Sequence, residues 1–130
     1  MTSKRMYRLG DLQLRIMRVL WNSGPASVAQ VRDRLEGDPL AYTTVATMLR
    51  KMEDKGVVDH RVEGRHFIYR PVISEDEVRT SMVGELLDRL FAGDPAALVS
   101  HLVSDHDLED EEMDRLRALL EAAEDKDREP

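Results

Sequence analysis

Residues 42–71 read YTTVATMLRKMEDKGVVDHRVEGRHFIYRP, and a change of period inside this stretch decides the fold. From Tyr42 to Lys55 the apolar residues recur at helical spacing. At roughly 100° per residue, Val45, Met48, Leu49 and Met52 fall within one arc of about 100°. Gly56 then suits the left-handed cap that ends a helix. Beyond it the pattern becomes β-prone, Val57–Val62 and His66–Arg70 flanking Glu63-Gly64-Arg65. That is a hairpin with a charged, glycine-containing tip, and Pro71 ends it.

Working outward, a first helix is expected from Leu9 to Trp21, with Leu9, Leu12, Ile16, Val19 and Leu20 on one face. Asn22-Ser23-Gly24-Pro25 breaks it. Ser27 can cap a short second helix through Leu35, whose stripe is Val28, Val31 and Leu35. On the other side, Ser74-Glu75-Asp76-Glu77 is a capping box that opens a long helix to Phe91. Asp94-Pro95 starts another, with proline at the favoured first position. A last helix is expected from Glu109, its acidic start suiting the positive helix end. The chain after Glu124 reads as a frayed polar tail.

Three helices and a hairpin form the winged variant of the helix-turn-helix, whose third helix enters the major groove of DNA. The expected fold class is therefore mainly α with a small β-hairpin wing. A winged helix-turn-helix DNA-binding domain (1–73) is followed by a helical dimerisation region (74–124) and a polar tail (125–130).

Charge supports the division. The whole chain carries a net −7, which by itself argues against nucleic acid. Residues 1–71, however, hold 13 Lys and Arg against 8 Asp and Glu, a net +5. Residues 72–130 hold 6 against 18, a net −12. A basic half joined to an acidic half suggests one surface for phosphates and another for a different task.

The third helix carries the sharpest signal. Opposite its apolar arc lie Thr43, Thr44, Thr47, Arg50 and Lys51. Threonine can meet base edges, phosphates or a thymine methyl, and arginine can bridge guanine or hold phosphate. A merely solvated face would more usually mix Glu with Lys. On the hairpin, Arg61, Arg65 and His66 could hold backbone phosphates, although exposed hairpins also carry charge for solubility.

The acidic half has more apolar surface than it needs for padding. Val78, Met82, Val83, Leu86, Leu87 and Leu90 cover about 180° of the fourth helix, and Met113, Leu116, Leu120 and Ala123 share a face of the last. A two-fold partner chain is the common way to bury such a stripe. The expected dimer interface is Val78, Met82, Leu86, Leu87, Leu90, Leu98, Leu102, Leu116 and Leu120.

Other chemistries lack their residues. Without cysteine there is no disulfide, zinc ribbon or thiol catalysis. His60, His66, His101 and His106 form no i, i+4 pair, so no metal site and no cofactor is expected. No Ser-His-Asp spacing, phosphate-binding loop or dinucleotide glycine pattern is present, and nothing argues for an enzyme. No apolar run approaches the 18 residues of a membrane span, and Met1–Arg8 lacks the apolar stretch of a secretory signal, so a cytoplasmic protein is expected.

Leu9-Gly10-Asp11-Leu12-Gln13, Val19-Leu20-Trp21, Ala41–Met52 and Lys55-Gly56 resemble the penicillinase-repressor family of bacteria. It includes the β-lactamase, methicillin-resistance and copper-responsive repressors. The likeness continues through Leu90–Asp94 and Ala97-Leu98-Val99. The resemblance implies a homodimeric repressor that binds dyad-symmetric operators through the winged helix and dimerises through the C-terminal helices. Two departures stand out. The copper branch has a C-terminal cysteine cluster, which is missing here. The penicillinase branch is inactivated by a protease of a membrane sensor system that cuts an Asn-Phe bond, and the matching step here is His101-Leu102. Two other readings fit the pattern: a small-molecule-responsive winged-helix regulator, and a protein-interaction winged helix that does not touch DNA.

Overall fold

The computed structural model describes residues 7–105 and 107–128. Met1–Met6, His106 and the last two residues of the chain lie outside the described residues.

The element order is α1 (Asp11–Ser23), β1 (Ala26–Ser27), α2 (Val28–Arg34), α3 (Tyr42–Asp54), β2 (Val58–Glu63), β3 (His66–Pro71), α4 (Glu75–Phe91), α5 (Pro95–Asp105) and α6 (Asp110–Arg128). The elements group into two compact units that divide inside α4, between Glu85 and Leu86.

In the first unit the three helices pack around one apolar core. Ile16, Met17 and Leu20 of α1, Val31 of α2 and Val45, Leu49 and Met52 of α3 are fully or almost fully buried in it. Each helix contributes residues three and four apart, so the core is the meeting of three stripes. The caps are local. Ser27 Oγ accepts from the Gln30 amide at 3.2 Å, and Gln30 Oε1 accepts from the Ser27 amide at 2.9 Å. The expected box at α4 has the same form: Ser74 Oγ accepts from the Glu77 amide at 3.0 Å, and Glu77 Oε1 accepts from the Ser74 amide at 3.3 Å.

The hairpin belongs to a three-stranded antiparallel sheet of order β1-β3-β2. The two-residue β1 was not expected from the sequence. Ala26 and Ser27 pair with Tyr69 and Ile68 and anchor the base of the wing beside α2. Two residues are too few to show a period of two, which is why the sequence pattern conceals this strand.

Other boundaries also shift. Leu9 is buried, but α1 starts only at Asp11, with Gly10 extended at its N-cap and donating to Gln13 Oε1 at 3.3 Å. The last helix continues to Arg128, through four of the residues expected to fray after Glu124.

The division inside α4 corrects one part of the sequence reading. Val78, expected in a dimer interface, is 2% exposed in the core of the winged unit, and Met82 packs against the same core. Neighbouring contacts hold this half of α4 in place. The Tyr7 amide donates to Ser81 Oγ at 2.8 Å, and the Arg8 guanidinium meets the Glu85 carboxylate, Nε at 2.7 Å. Trp21 Nε1 donates to the Ile73 carbonyl at 2.9 Å and fixes the approach to the helix. A winged unit ending at residue 73 would leave its core open where Val78 now sits.

The second unit has a different character. Among its described residues no side chain is buried, although it contains the end of α4, all of α5 and all of α6. Asp94 Oδ1 caps α5 by accepting from the Ala96 amide at 3.0 Å. No helix among the described residues is long and apolar enough to cross a membrane.

The core assignment predicts that Leu49→Ala costs about 2–5 kcal/mol, the usual range for truncating a fully buried leucine. Urea unfolding followed by far-ultraviolet circular dichroism measures it. A loss under 1 kcal/mol would show that Leu49 is not a core residue.

Candidate nucleic-acid interface

The candidate interface is built on α3. Its inward face, Val45, Leu49 and Met52, is locked in the core. That leaves Thr43, Thr44, Thr47, Arg50 and Lys51 all exposed on the outside. Neither Arg50 nor Lys51 has an ion-pair partner among the described residues, so both cations face solvent unneutralised.

The start of α3 adds a residue that sequence reasoning passed over. Tyr42 is 48% exposed, and the Arg32 guanidinium of α2 lies 6.0 Å from its ring centroid. A tyrosine at the first helical position ahead of a threonine pair was a readable signal, because its hydroxyl can donate and accept on the same outer side as the threonines. The N-cap is Ala41, which has no side chain able to accept from the free amides of the first turn. The Thr44 amide turns back to the Ala41 carbonyl at 3.1 Å, and the positive helix end lies beside Tyr42 and Arg32.

The wing is joined to α3 at its base. His60 Nδ1 of β2 contacts the Glu53 carboxylate near the end of α3. The His60 ring stacks on Phe67 with centroids 4.2 Å apart, and Tyr69 lies against both rings. Burial, then the charge of Glu53, pushes the Tyr69 phenol above its ordinary value, while Arg50 pulls the other way. The phenol therefore stays neutral, and the His60 contact with Glu53 is what seats the sheet against the end of α3.

Strand alternation divides the wing into two faces. Val58, His60 and Val62 pair with Pro71, Tyr69 and Phe67 on one face. Asp59, Arg61 and Glu63 pair with Arg70, Ile68 and His66 on the other. The second face neutralises its own charges. Arg61 reaches Glu63 at 3.3 Å, and Arg70 Nε donates to Asp59 Oδ1 at 2.6 Å. The hydrogen bond from Arg70 holds the Asp59 carboxyl below its usual range. So the structure does not place Arg61, Arg65 and His66 as equals. Arg61 is tied to Glu63, His66 faces Glu63 across the strands, and Arg65 stands at the tip with no ion pair among the described residues.

The turn depends on Gly64. Glu63 and His66 close a two-residue loop in which Gly64 has φ +63° and Arg65 has negative φ. That is the pattern of a hairpin turn with glycine at its first central position.

The residues expected at a dimer interface separate as well. Leu87, Leu98 and Leu116 are half-buried, while Leu86, Leu90, Leu102 and Leu120 are exposed, Leu90 at 72%. Leu102 and Leu116 line a cleft of about 300 Å³ between α5 and α6, together with Leu108 and Leu119. His101 and Leu102 lie within α5 and are exposed, and His101 Nδ1 is 3.0 Å from Asp105. Proteolysis favours loop tips, and this peptide bond is helical. Among the described residues no three His, Asp or Glu side chains gather as metal ligands.

Gly64→Ala is predicted to destabilise the first unit by about 1 kcal/mol, because alanine resists positive φ, and no atom would crowd its Cβ. Thermal unfolding checks this. An unchanged or higher midpoint would show that the turn relaxes without cost.

Comparison with known proteins agrees with this architecture. Residues 9–122 match the model of the family described as penicillinase repressor. The penicillinase repressor of Bacillus licheniformis is 28% identical over 91% of this chain and 93% of its own. The transcriptional regulator BlaI of Mycobacterium tuberculosis is 36% identical over 76% of this chain and 74% of its own. A solved MarR family protein from Bacillus stearothermophilus shares the fold, with TM-score 0.50 over 95% of this chain and 78% of its own, at 18% identity. With the winged architecture, the exposed threonine and arginine face and this match over most of its length, the chain belongs to the penicillinase repressor family.

Proposed function

We propose that this chain is a DNA-binding transcriptional repressor that holds a dyad-symmetric operator as a homodimer, in the cytoplasm. The observation that carries the reading is the two-sidedness of α3. One face is completely buried, and the other presents three threonines and two cations without ion-pair partners. A helix so anchored can enter the major groove without deforming, and its outer side chains suit base edges and phosphates.

The homodimer is supported by the second unit. Three helical segments with no buried residue among those described expose Leu90, Leu102, Leu119 and Leu120, and Leu102 and Leu119 of these line the cleft between α5 and α6. An isologous contact with a second copy would bury this surface. It would also present two α3 helices to half-sites about 34–36 Å apart, one turn of DNA. The net −12 of residues 72–130 keeps that half away from phosphate, so the basic half meets the duplex. If the protease of a membrane sensor ends repression, a cut at His101-Leu102 requires α5 to unwind first.

Selection from random duplexes tests the function, and a dyad-symmetric consensus is expected. On that duplex Arg50→Ala should weaken binding by about 1–3 kcal/mol if Arg50 reads a base. No enrichment of any sequence would refute the repressor reading. The interface is tested by Leu90→Asp, which would strand a charge in the buried contact. Sedimentation should show monomer, with the helical signal of the winged unit retained. A variant that stays dimeric would place the interface elsewhere.

A further inference from the structure

The wing carries an apolar pair that neither its own core nor its charge pattern explains. Val62 and Phe67 face each other across β2 and β3, one step from the turn, and are 65% and 47% exposed. β2 is an edge strand, and exposed edges are normally protected by charge rather than left apolar. Of the charged side chains of this hairpin, Arg61, Glu63, Asp59 and Arg70 lie on the opposite face, paired with one another.

The pair is continuous with the outer surface of α3. Phe67 stacks on His60, His60 meets Glu53 of α3, and Tyr69 beside them lies within the electrostatic reach of both Arg50 and Tyr42. Arg65, without an ion-pair partner among the described residues, stands directly beyond the pair at the tip. The surface therefore runs from a polar, cationic helix face to an apolar pad and ends in a cation. A duplex presents complementary chemistries in the same order to a ligand crossing from the major to the minor groove: base edges with their bordering phosphates, then the C–H edges of deoxyribose lining the minor groove, then the phosphates of the other strand.

We propose that Val62 and Phe67 form an apolar pad that packs against deoxyribose in the minor groove beside the α3 site, while Arg65 holds the adjoining phosphate. The inference rests on the DNA-binding reading and extends it to a contact without charge or base selectivity. Minor-groove proteins also bring apolar side chains into that groove, there as wedges between base steps; here the pad would lie against the sugar edges. Such a contact adds affinity without releasing counterions, so its signature is separable from that of a cation.

The full chain and the selected duplex test it, with Val62→Ser, Phe67→Ala and Arg65→Ala compared with wild type. Val62 is too exposed for its loss to affect folding, which keeps the test valid if Phe67→Ala destabilises the wing. Val62→Ser and Phe67→Ala should each weaken binding by about tenfold, the order expected from burying half of such a side chain, with the salt slope unchanged. Arg65→Ala should lower the salt slope by about one. Hydroxyl-radical footprints, which report deoxyribose exposure, should lose protection flanking the α3 site in the first two variants and keep it elsewhere. If Val62→Ser and Phe67→Ala bind and protect like wild type while Arg50→Ala is weakened, the pad is no DNA contact and the DNA-binding reading stands. If Val62→Ser alters self-association and not the footprint, the pad is a protein contact and the inference fails. A wild type that protects no duplex would overturn the DNA-binding reading and the pad together.

Discussion

The burial of one face of α3 is the constraint on which the rest depends. Val45, Leu49 and Met52 reach the core only if the helix keeps a single rotation about its own axis. That rotation turns Thr43, Thr47 and Arg50 outward. The interior of a protein is close-packed, so a helix seated this way resists rolling. The same seating positions Glu53 against His60 and so sets the wing relative to the helix. Stability and the presentation of the outer face are thus one property, not two. A change that loosens Leu49 would be felt on the opposite side of the helix without any contact being altered there.

Much of this was legible in the sequence, and for a local reason. The stripes of α1 and α3, the box at Ser74 and Glu77 and the switch of period after Gly56 are all signals within a few residues of each other. The division of α3 into an apolar and a threonine-rich face needs only its own sequence. What the sequence concealed depends on distant partners. β1 exists because Tyr69 and Ile68 are available to pair with Ala26 and Ser27, more than forty residues away. Val78 looks like part of one long stripe on α4. Only the packed core shows that it belongs to the winged unit while Leu90, on the same helix, remains exposed. The apolar face of the wing was hidden for a similar reason. Arg61, Arg65 and His66 draw attention as charges, but strand alternation decides which faces they occupy, and Glu63 decides whether Arg61 is available.

The two units also differ in how they meet the cost of ordering a chain. Fixing each residue's backbone costs roughly 1–2 kcal/mol in conformational entropy, which buried apolar surface must offset. The first unit has a continuous core drawn from all six of its other elements and from the start of α4. The second has a side-chain cap on α5, acidic residues at the start of α6 and an i, i+4 contact between His101 and Asp105, but no buried side chain among its described residues. Caps and surface pairs contribute on the order of 1 kcal/mol or less each. They favour helices without making a core. The leucines of α4, α5 and α6 are therefore the natural source of the missing stabilisation, once another surface covers them.

Charge completes the argument, because pairing changes what the net count means. The basic half carries several arginines that are already engaged: Arg8 with Glu85, Arg70 with Asp59, Arg61 with Glu63 and Arg32 with Asp33. These pairs are exposed and screened by salt, so each adds little to stability. Their larger effect is to remove cations from the field that a polyanion would meet. Among the described residues, Arg50, Lys51 and Arg65 have no such partner and lie on the outer face of α3 and at the tip of the wing; Arg18 of α1 and Arg34 of α2 also have none but lie away from that face. A phosphate approaching them need displace no carboxylate, whereas one approaching Arg61 must compete with Glu63. The surface most ready for a duplex is accordingly narrower than the basic composition suggests. It follows the line from Thr43 along α3 to Arg50 and Lys51, then across the wing to Arg65.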